Sequence, residues 1–410
     1  MMLTLNNEGK NKIFEGIRVL DFTRVLAGPY CTRLLADMGA EVIKVEQPGI
    51  GDDARHFPYY LDQGDTGYYL QQNCGKKSIS LDMKKKETIE ILKKLVVVSD
   101  IVVENFRPGV MAKYGLDYNS LRLHKKDLIM CSISAFGQTG PYSPFVGNDL
   151  TTQAMSGFMD MTGHPDGPPT QVGTSIGDTI AGSHAFGAIA SALYRRERTG
   201  EGEYIDIAML DCMFSQHEIA IQSYILSNGE IKPRRFGSHH PTVVPLGAYE
   251  AKDGWIIVGV FNDSTWNRLA ETMGQTELID DPRFMGNTAR AENKNTVIKI
   301  IQEWIKNLTV KQALDVLREA RVLTAPVLSI QELVNDPQIR AREMLVQVEH
   351  RKLGSVEIIN SPIKLTNTEA CVSGRAALLG EHNHEILELL GHSIDEINLL
   401  RENKVTYEDL

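Results

Sequence analysis

The residue whose setting best suits covalent chemistry is Asp178, in the run Gly177-Asp178-Thr179. Gln171 to Ile176 reads as a strand leading in, and the small-residue run Ile180 to Leu193 as a helix leading out. A carboxylate at such a junction can accept backbone N–H bonds and feels the positive end of the helix. Two roles fit it, a plain N-cap and an approachable nucleophile. Gly173, Gly177 and Gly182, with Thr174, Ser175 and Thr179, favour approach, because a ligand backbone can come close to glycine. A second candidate is Glu104-Asn105-Phe106-Arg107-Pro108-Gly109, where Arg107 beside the free N–H groups of a helix starting at Pro108 would suit a phosphate. The same residues also make ordinary turn chemistry. Glu381-His382-Asn383-His384-Glu385 holds ligand-type side chains without a second cluster at recognisable spacing, so it reads as a capped helix start and no metal is expected. His239-His240-Pro241 reads as linker. The loop Phe22 to Gly28 lacks G-x-G-x-x-G, which argues against a dinucleotide on Glu46, and no G-x-S-x-G elbow or P-loop occurs.

These residues need a frame, and the patterning supplies one. A strand at Ile17 to Leu20, a helix opened by Gly28-Pro29 and stopped by Gly39, and a strand at Glu41 to Val45 form a β-α-β unit with a right-handed crossover. The pattern repeats with a helix from about Lys85 to Val98, a strand Ile101 to Val103, a helix from Pro108 and a strand Leu128 to Ser132. This is a doubly wound α/β reading. The helix after Asp178 ends in Arg195 to Gly200, cations followed by a glycine stop, and a strand follows at Tyr204 to Ala208. A Gly, Pro, Arg and His-rich linker spans Asn228 to Pro241. Beyond it lie a hairpin (Gly247 to Ala251 and Trp255 to Val260) and amphipathic helices near Asn295 to Asn307 and Val310 to Arg321, a smaller α+β domain. A hairpin around Leu353-Gly354 and helices from Glu381 onward close the chain.

The chain has 410 residues and a formal charge of −10, enough length for two domains with sizeable cores. No apolar run approaches a membrane span, and Met1 to Gly16 has no apolar signal-type region. Cys31, Cys74, Cys131, Cys212 and Cys371 are odd in number and form no C-x-x-C, which points to a reducing compartment such as the cytoplasm. The acidic total argues against nucleic acid as a partner. Residues 71 to 130 nevertheless hold twelve Lys and Arg against seven Asp and Glu, a local +5 that leaves −15 elsewhere. A compact anion could dock there, although Lys84, Lys85 and Lys86 also read as a solvated helix entry.

Together, Val19-Leu20-Asp21-Phe22-Thr23 to Ala27-Gly28-Pro29, Leu35 to Glu46, Asn73 to Met83, Val103 to Gly109 and Gly173 to Gly182 resemble the class III CoA-transferases, the formyl-CoA and carnitine CoA-transferase family. The resemblance runs from about residue 16 to Leu390. It implies a large Rossmann-like CoA-binding α/β domain built from both ends of the chain (residues 1–225 and 329–410), a small middle domain (226–328) and an interlocked homodimer. It also implies that Asp178 is the nucleophile. Val25, Leu26 and Ala27, the segment Leu81 to Lys84, Asn105, Phe106 and Arg107, Lys113, and the loop of Ser134, Ala135, Phe136 and Gly137 fall on the family's CoA-contact positions. The substrates it implies are an acyl-CoA donor and a carboxylic acid acceptor, with no permanently bound cofactor.

Two departures from the formyl-CoA branch argue against oxalate as acceptor. Arg235 to Thr242 replaces a polyglycine loop, and Leu26 replaces a glutamine. Arg24 and Arg235 to His240 are candidates for a second carboxylate, which favours a dicarboxylate such as succinate. The rival enzyme is a 2-methylacyl-CoA racemase, whose Gly-His-Asp base corresponds to Gly147-Asn148-Asp149 here, and asparagine cannot take a proton near neutral pH. The non-enzyme rival is a CoA-binding subunit without turnover.

Overall fold

A computed structural model describes residues 12–58, 60–61, 65–351 and 354–408. Six parallel strands form the main sheet: β1 (Arg18–Asp21), β2 (Glu41–Glu46), β3 (Lys77–Ser80), β4 (Ile101–Glu104), β5 (Ile129–Ser134) and β6 (Glu203–Ala208). They lie in the order β3-β2-β1-β4-β5-β6, so the order reverses between β1 and β4. In such sheets ligands bind at the carboxyl ends of the strands beside that reversal.

The alternation of side chains explains why helices cover both faces. Val19, Val42, Val103, Ile129 and Cys131 pack with helix α1 (Ala27–Asp37) and the long helix Ile176–Thr199. Their neighbours Leu20, Ile43, Ile79, Val102 and Met130 pack on the other face with α2 (Lys86–Val97) and with the C-terminal helices Asn383–Leu389 and Ile394–Glu402. Successive strand residues point to opposite faces, and a sheet buried on both sides reads as the near-continuous apolar runs seen here.

Three sequence expectations change in the structure. Residues 171–175 form no strand. The helix expected from Pro108 is the short Val110–Lys113, with Gly109 at φ +84° before it. An additional strand, β3, is present where the sequence shows one apolar residue among Lys77-Ser78-Ile79-Ser80. This edge strand is finished by the Glu381–Glu385 segment: Ser78 N–H donates to His382 Nδ1 (3.2 Å) and Ser80 N–H to Asn383 Oδ1 (2.8 Å). Those two side chains thus cover a sheet edge that would otherwise present free N–H groups. Of the expected final hairpin, strands Leu345–His350 and Gly354–Ile359 are antiparallel, and Leu353 lies outside the described residues.

The chain divides into two compact units, one of residues 1–156, 173–218 and 338–410, the other of 157–172 and 219–337. The second has a three-stranded antiparallel sheet, with Gly254–Gly259 between Leu246–Ala251 and Leu323–Pro326. Its core holds Tyr249, Trp266, Phe284, Val297, Ile301 and Leu317. No described helix is long and apolar enough to cross a membrane.

Candidate active site

The long helix α4 (Ile176–Thr199) follows α3 (Asp149–Met155) in the site. Its N-cap position is Ser175, so Asp178 lies inside the first turn and is not the cap. The capping task falls to a residue far away in sequence: Gly177 N–H donates to Asp149 Oδ1 at 2.7 Å, and Gln153 Nε2 donates to Asp149 Oδ2 at 2.7 Å. Asp178 is half-buried, and no hydrogen bond among the described residues reaches its carboxylate. Burial, and then the like charge of Asp149, push its pKa up to about 7. A carboxylate left without donors beside a second carboxylate is poorly stabilised, which raises its basicity and its nucleophilicity.

The glycines around Asp178 serve packing more than ligand approach. A Cβ on Gly177 would lie 3.0 Å from Asp149, Thr152 and Met213, and one on Gly182 would lie 2.6 Å from the carbonyl oxygen of Ala27. Gly182 therefore lets α4 close on the start of α1, one turn beyond Asp178. Gly173 alone of the three faces open space. Tyr68 is also in this neighbourhood: burial first, then the charges of Asp178, Asp52 and Asp149, raise its pKa and keep the phenol neutral.

A cavity of about 480 Å³ opens at the carboxyl ends of β1 to β4, lined among others by Arg24, Lys44, Leu81, Lys84, Phe106 and Arg107. Its shape follows from the strand-order reversal. Lys84 and Arg107 are exposed, and neither has an ion-pair partner among the described residues. Arg24 stacks over Phe106 (5.3 Å) and meets Asp53 at 3.4 Å. A smaller cavity of about 90 Å³ beside it is lined by Ala27, Asn105, Phe106, Arg107, Ser134, Ala135 and Phe136. Nine of the thirteen expected CoA-contact residues thus line one of two cavities that share Phe106 and Arg107. Val25, Leu26, Lys113 and Gly137 line neither, and Asp178 does not either. Gly137, at φ +83°, turns the chain so that its N–H meets Ser134 Oγ at 2.9 Å. Asn105 is committed to protein: its amide bonds both the N–H and the carbonyl of Arg24, each at 2.8 Å. Arg235 is paired with Asp160 at 3.1 Å.

Sequence reasoning missed the buried charges beneath this cavity. Asp21, Lys44, Glu46, Asp52 and Lys76 are all buried, with ion pairs Lys44–Asp52 (2.8 Å) and Lys76–Asp21 (3.2 Å). Glu46, the residue at issue for a dinucleotide, is instead bound by Arg55, Ser78, Tyr69 and the Asp52 N–H. Burial alone would raise its pKa, but Arg55, Lys44 and Ser78 bring it down to about 2. Lys44 was the available signal, as the one cation inside strand β2, set between apolar Ile43 and Val45.

The comparisons with known proteins follow the same outline. The profile of CoA-transferase family III matches residues 14–383. A succinyl-CoA:mesaconate CoA-transferase of Haloarcula hispanica is 41% identical, with 92% of this chain and 96% of that protein covered. A succinate–glutarate CoA-transferase of Agrobacterium fabrum is 39% identical over 91% of this chain and 94% of its own. Among solved structures, a CAIB/BAIF family protein from Brucella suis superposes with a TM-score of 0.84 at 35% identity, covering 93% of this chain and all of that one.

Proposed function

The chain belongs to CoA-transferase family III, and from that premise we propose that it moves CoA from succinyl-CoA to a second dicarboxylic acid, with Asp178 as covalent nucleophile. The observation that carries this reading is the isolation of the Asp178 carboxylate, whose helix-capping role is taken by Asp149.

In the proposed sequence an Asp178 oxygen attacks the thioester carbonyl, the C–S bond breaks and CoA leaves as thiolate. The thiolate attacks the aspartyl carbonyl of the mixed anhydride, releasing the donor carboxylate and leaving an aspartyl-CoA thioester. The acceptor carboxylate attacks that thioester, and the thiolate then takes the acceptor acyl group and frees Asp178. Each step exchanges one acyl bond for another, so ATP is not consumed. Donor and acceptor follow from the names of the two relatives, and both acids carry a second carboxylate. Arg24, which lines the larger cavity and whose ion pair with Asp53 is loose and exposed, is our candidate to recognise it. Lys84 and Arg107 are our candidates for the CoA phosphates. A racemase reading is disfavoured because Asn148 is occupied as the N-cap of α3, accepting from Thr151 N–H at 3.1 Å, and has no basic nitrogen.

We also propose that two copies interlock. Ile219, Tyr224, Ile225 and Leu226 expose large apolar side chains within one short stretch, a surface that association would cover. All five cysteines are free thiols, which suits a reducing compartment such as the cytoplasm.

The deciding experiment is chemical trapping. Incubation with succinyl-CoA followed by hydroxylamine or borohydride should modify one carboxylate, and peptide mapping should place it at Asp178. Asp178→Asn should abolish transfer to mesaconate or glutarate while retaining CoA binding. Transfer by that variant at a comparable rate would remove Asp178 from the mechanism.

A further inference from the structure

The loop joining β1 to α1 lies where the strand order reverses, and side chains from three other segments hold its backbone. The Thr23 carbonyl accepts from Lys44 Nζ at 2.7 Å. Arg24 is clamped at both its N–H and its carbonyl by Asn105. Val25 N–H donates to Asp52 Oδ1 at 3.0 Å. Val25 is the strained point: its φ is +68°, and it is the one β-branched residue with a positive φ among those described. Such a conformation costs of order 1–3 kcal/mol and persists only where the surroundings over-determine it.

Asp52 and Lys44 provide that surrounding. Both are buried, Asp52 Oδ1 also accepts from Ala54 N–H (2.9 Å), and its Oδ2 lies 2.8 Å from Lys44 Nζ. A single ion pair thus grips the loop twice, Lys44 through Thr23 and Asp52 through Val25. Stability alone explains this arrangement poorly, since apolar replacement of a buried ion pair is often neutral or better. The location gives it a purpose. Val25 leads directly into Leu26 and Ala27, Ala27 lines the smaller cavity, and its carbonyl abuts Gly182, one turn beyond Asp178.

We propose that the Lys44–Asp52 pair is a positioning device for the transfer reaction, locking Val25 in its left-handed conformation and so setting the start of α1 against the bound acyl-CoA. The inference rests on the reading of Asp178 as nucleophile. Neither Lys44 nor Asp52 reacts. Both act through the backbone of Val25.

The test is the rate at which succinyl-CoA modifies Asp178, read by rapid quench and peptide mapping, with CoA-ester affinity measured separately. Lys44→Met/Asp52→Ala removes both ions together, so no charge is left buried alone. At saturating succinyl-CoA it should slow adduct formation by about 10²-fold, the scale of a misplacement of about 1 Å. Adding Val25→Gly should restore at least about tenfold, because glycine holds a positive φ without strain. Where the double variant does not fold, Asp52→Glu keeps the charge but displaces the acceptor, and the same loss and the same rescue are expected. A normal adduct rate in a folded variant, or a loss that Val25→Gly leaves untouched, overturns the positioning role. A wild-type protein that forms no adduct at Asp178 overturns the nucleophile reading instead, so the two failures are distinguishable.

Discussion

Two clusters of buried or half-buried carboxylates in the same unit are treated in opposite ways. Beneath the large cavity, Asp21, Glu46 and Asp52 each face a cation, and their remaining oxygens accept from hydroxyl or backbone N–H groups. At the start of α4, Asp178 feels the like charge of Asp149, and of the two only Asp149 has donors. The difference separates structure from chemistry. A carboxylate saturated with donors is stable and inert, whereas one deprived of them is costly and basic. The titration shifts follow: Glu46 is brought down to about 2 and Asp178 is raised to about 7.

The largest effect is expected at Glu46. Glu46→Gln would leave the Arg55 guanidinium buried without its counter-ion, and removal of one partner from a buried pair costs about 3–5 kcal/mol. Denaturant unfolding should register that loss. Its pH dependence has a definite sign. Because the folded value lies below the ordinary 4.5, the Glu46 contribution is complete above about pH 4.5 and is lost as pH falls toward about 2. The gap between wild type and variant should therefore narrow on acidification.

Arg107 offers the converse test, a cation without a carboxylate. It should be free to pair with a ligand phosphate, so Arg107→Ala should weaken CoA binding by about 1–3 kcal/mol while leaving the unfolding midpoint nearly unchanged. Calorimetric titration with CoA checks the first part and thermal unfolding the second. Equal affinity in the folded variant would place the phosphates elsewhere.

Much of the larger unit was legible because its strands are buried on both faces, so Val42-Ile43 and Ile101-Val102-Val103 read as strands on apolarity alone. What escaped is what depends on contacts distant in sequence. Strand β3 has buried serines at 78 and 80, and their partners lie some three hundred positions away at Asn383 and Gly380. Asp178 stood out as chemistry, but as an N-cap with glycines that admit a ligand. Its actual place inside the turn depends on Asp149, which takes the Gly177 N–H across 28 positions. The Lys44–Asp52 pair was only half legible: Lys44 stood out as a cation within strand β2, but its partner Asp52 lies in the following loop, where an aspartate normally faces solvent.

The smallest expected effect is also the sharpest test of the contrast, because it predicts that removing a charge stabilises the protein. In Asp178→Asn the volume and polarity of the side chain persist, but the repulsion from Asp149 and the cost of burying a second anion disappear. Single stabilising substitutions commonly yield about 0.5–2 kcal/mol, and a gain on that scale should be visible as a rise in melting temperature at neutral pH. The sign again follows from linkage. Asp178 has a folded value of about 7 against 3.8 for an ordinary aspartate, so between those values the folded state binds more protons than the unfolded chain and wild-type stability falls as pH rises. The amide of the variant lacks that titration. The advantage of Asp178→Asn should thus be absent near pH 3.8, open progressively above it and level off beyond about pH 7, opposite in direction to the acid loss at Glu46. A variant that is less stable than wild type across this range would mean that Asp178 has donors that hold it in place, and the two carboxylate clusters would then be alike.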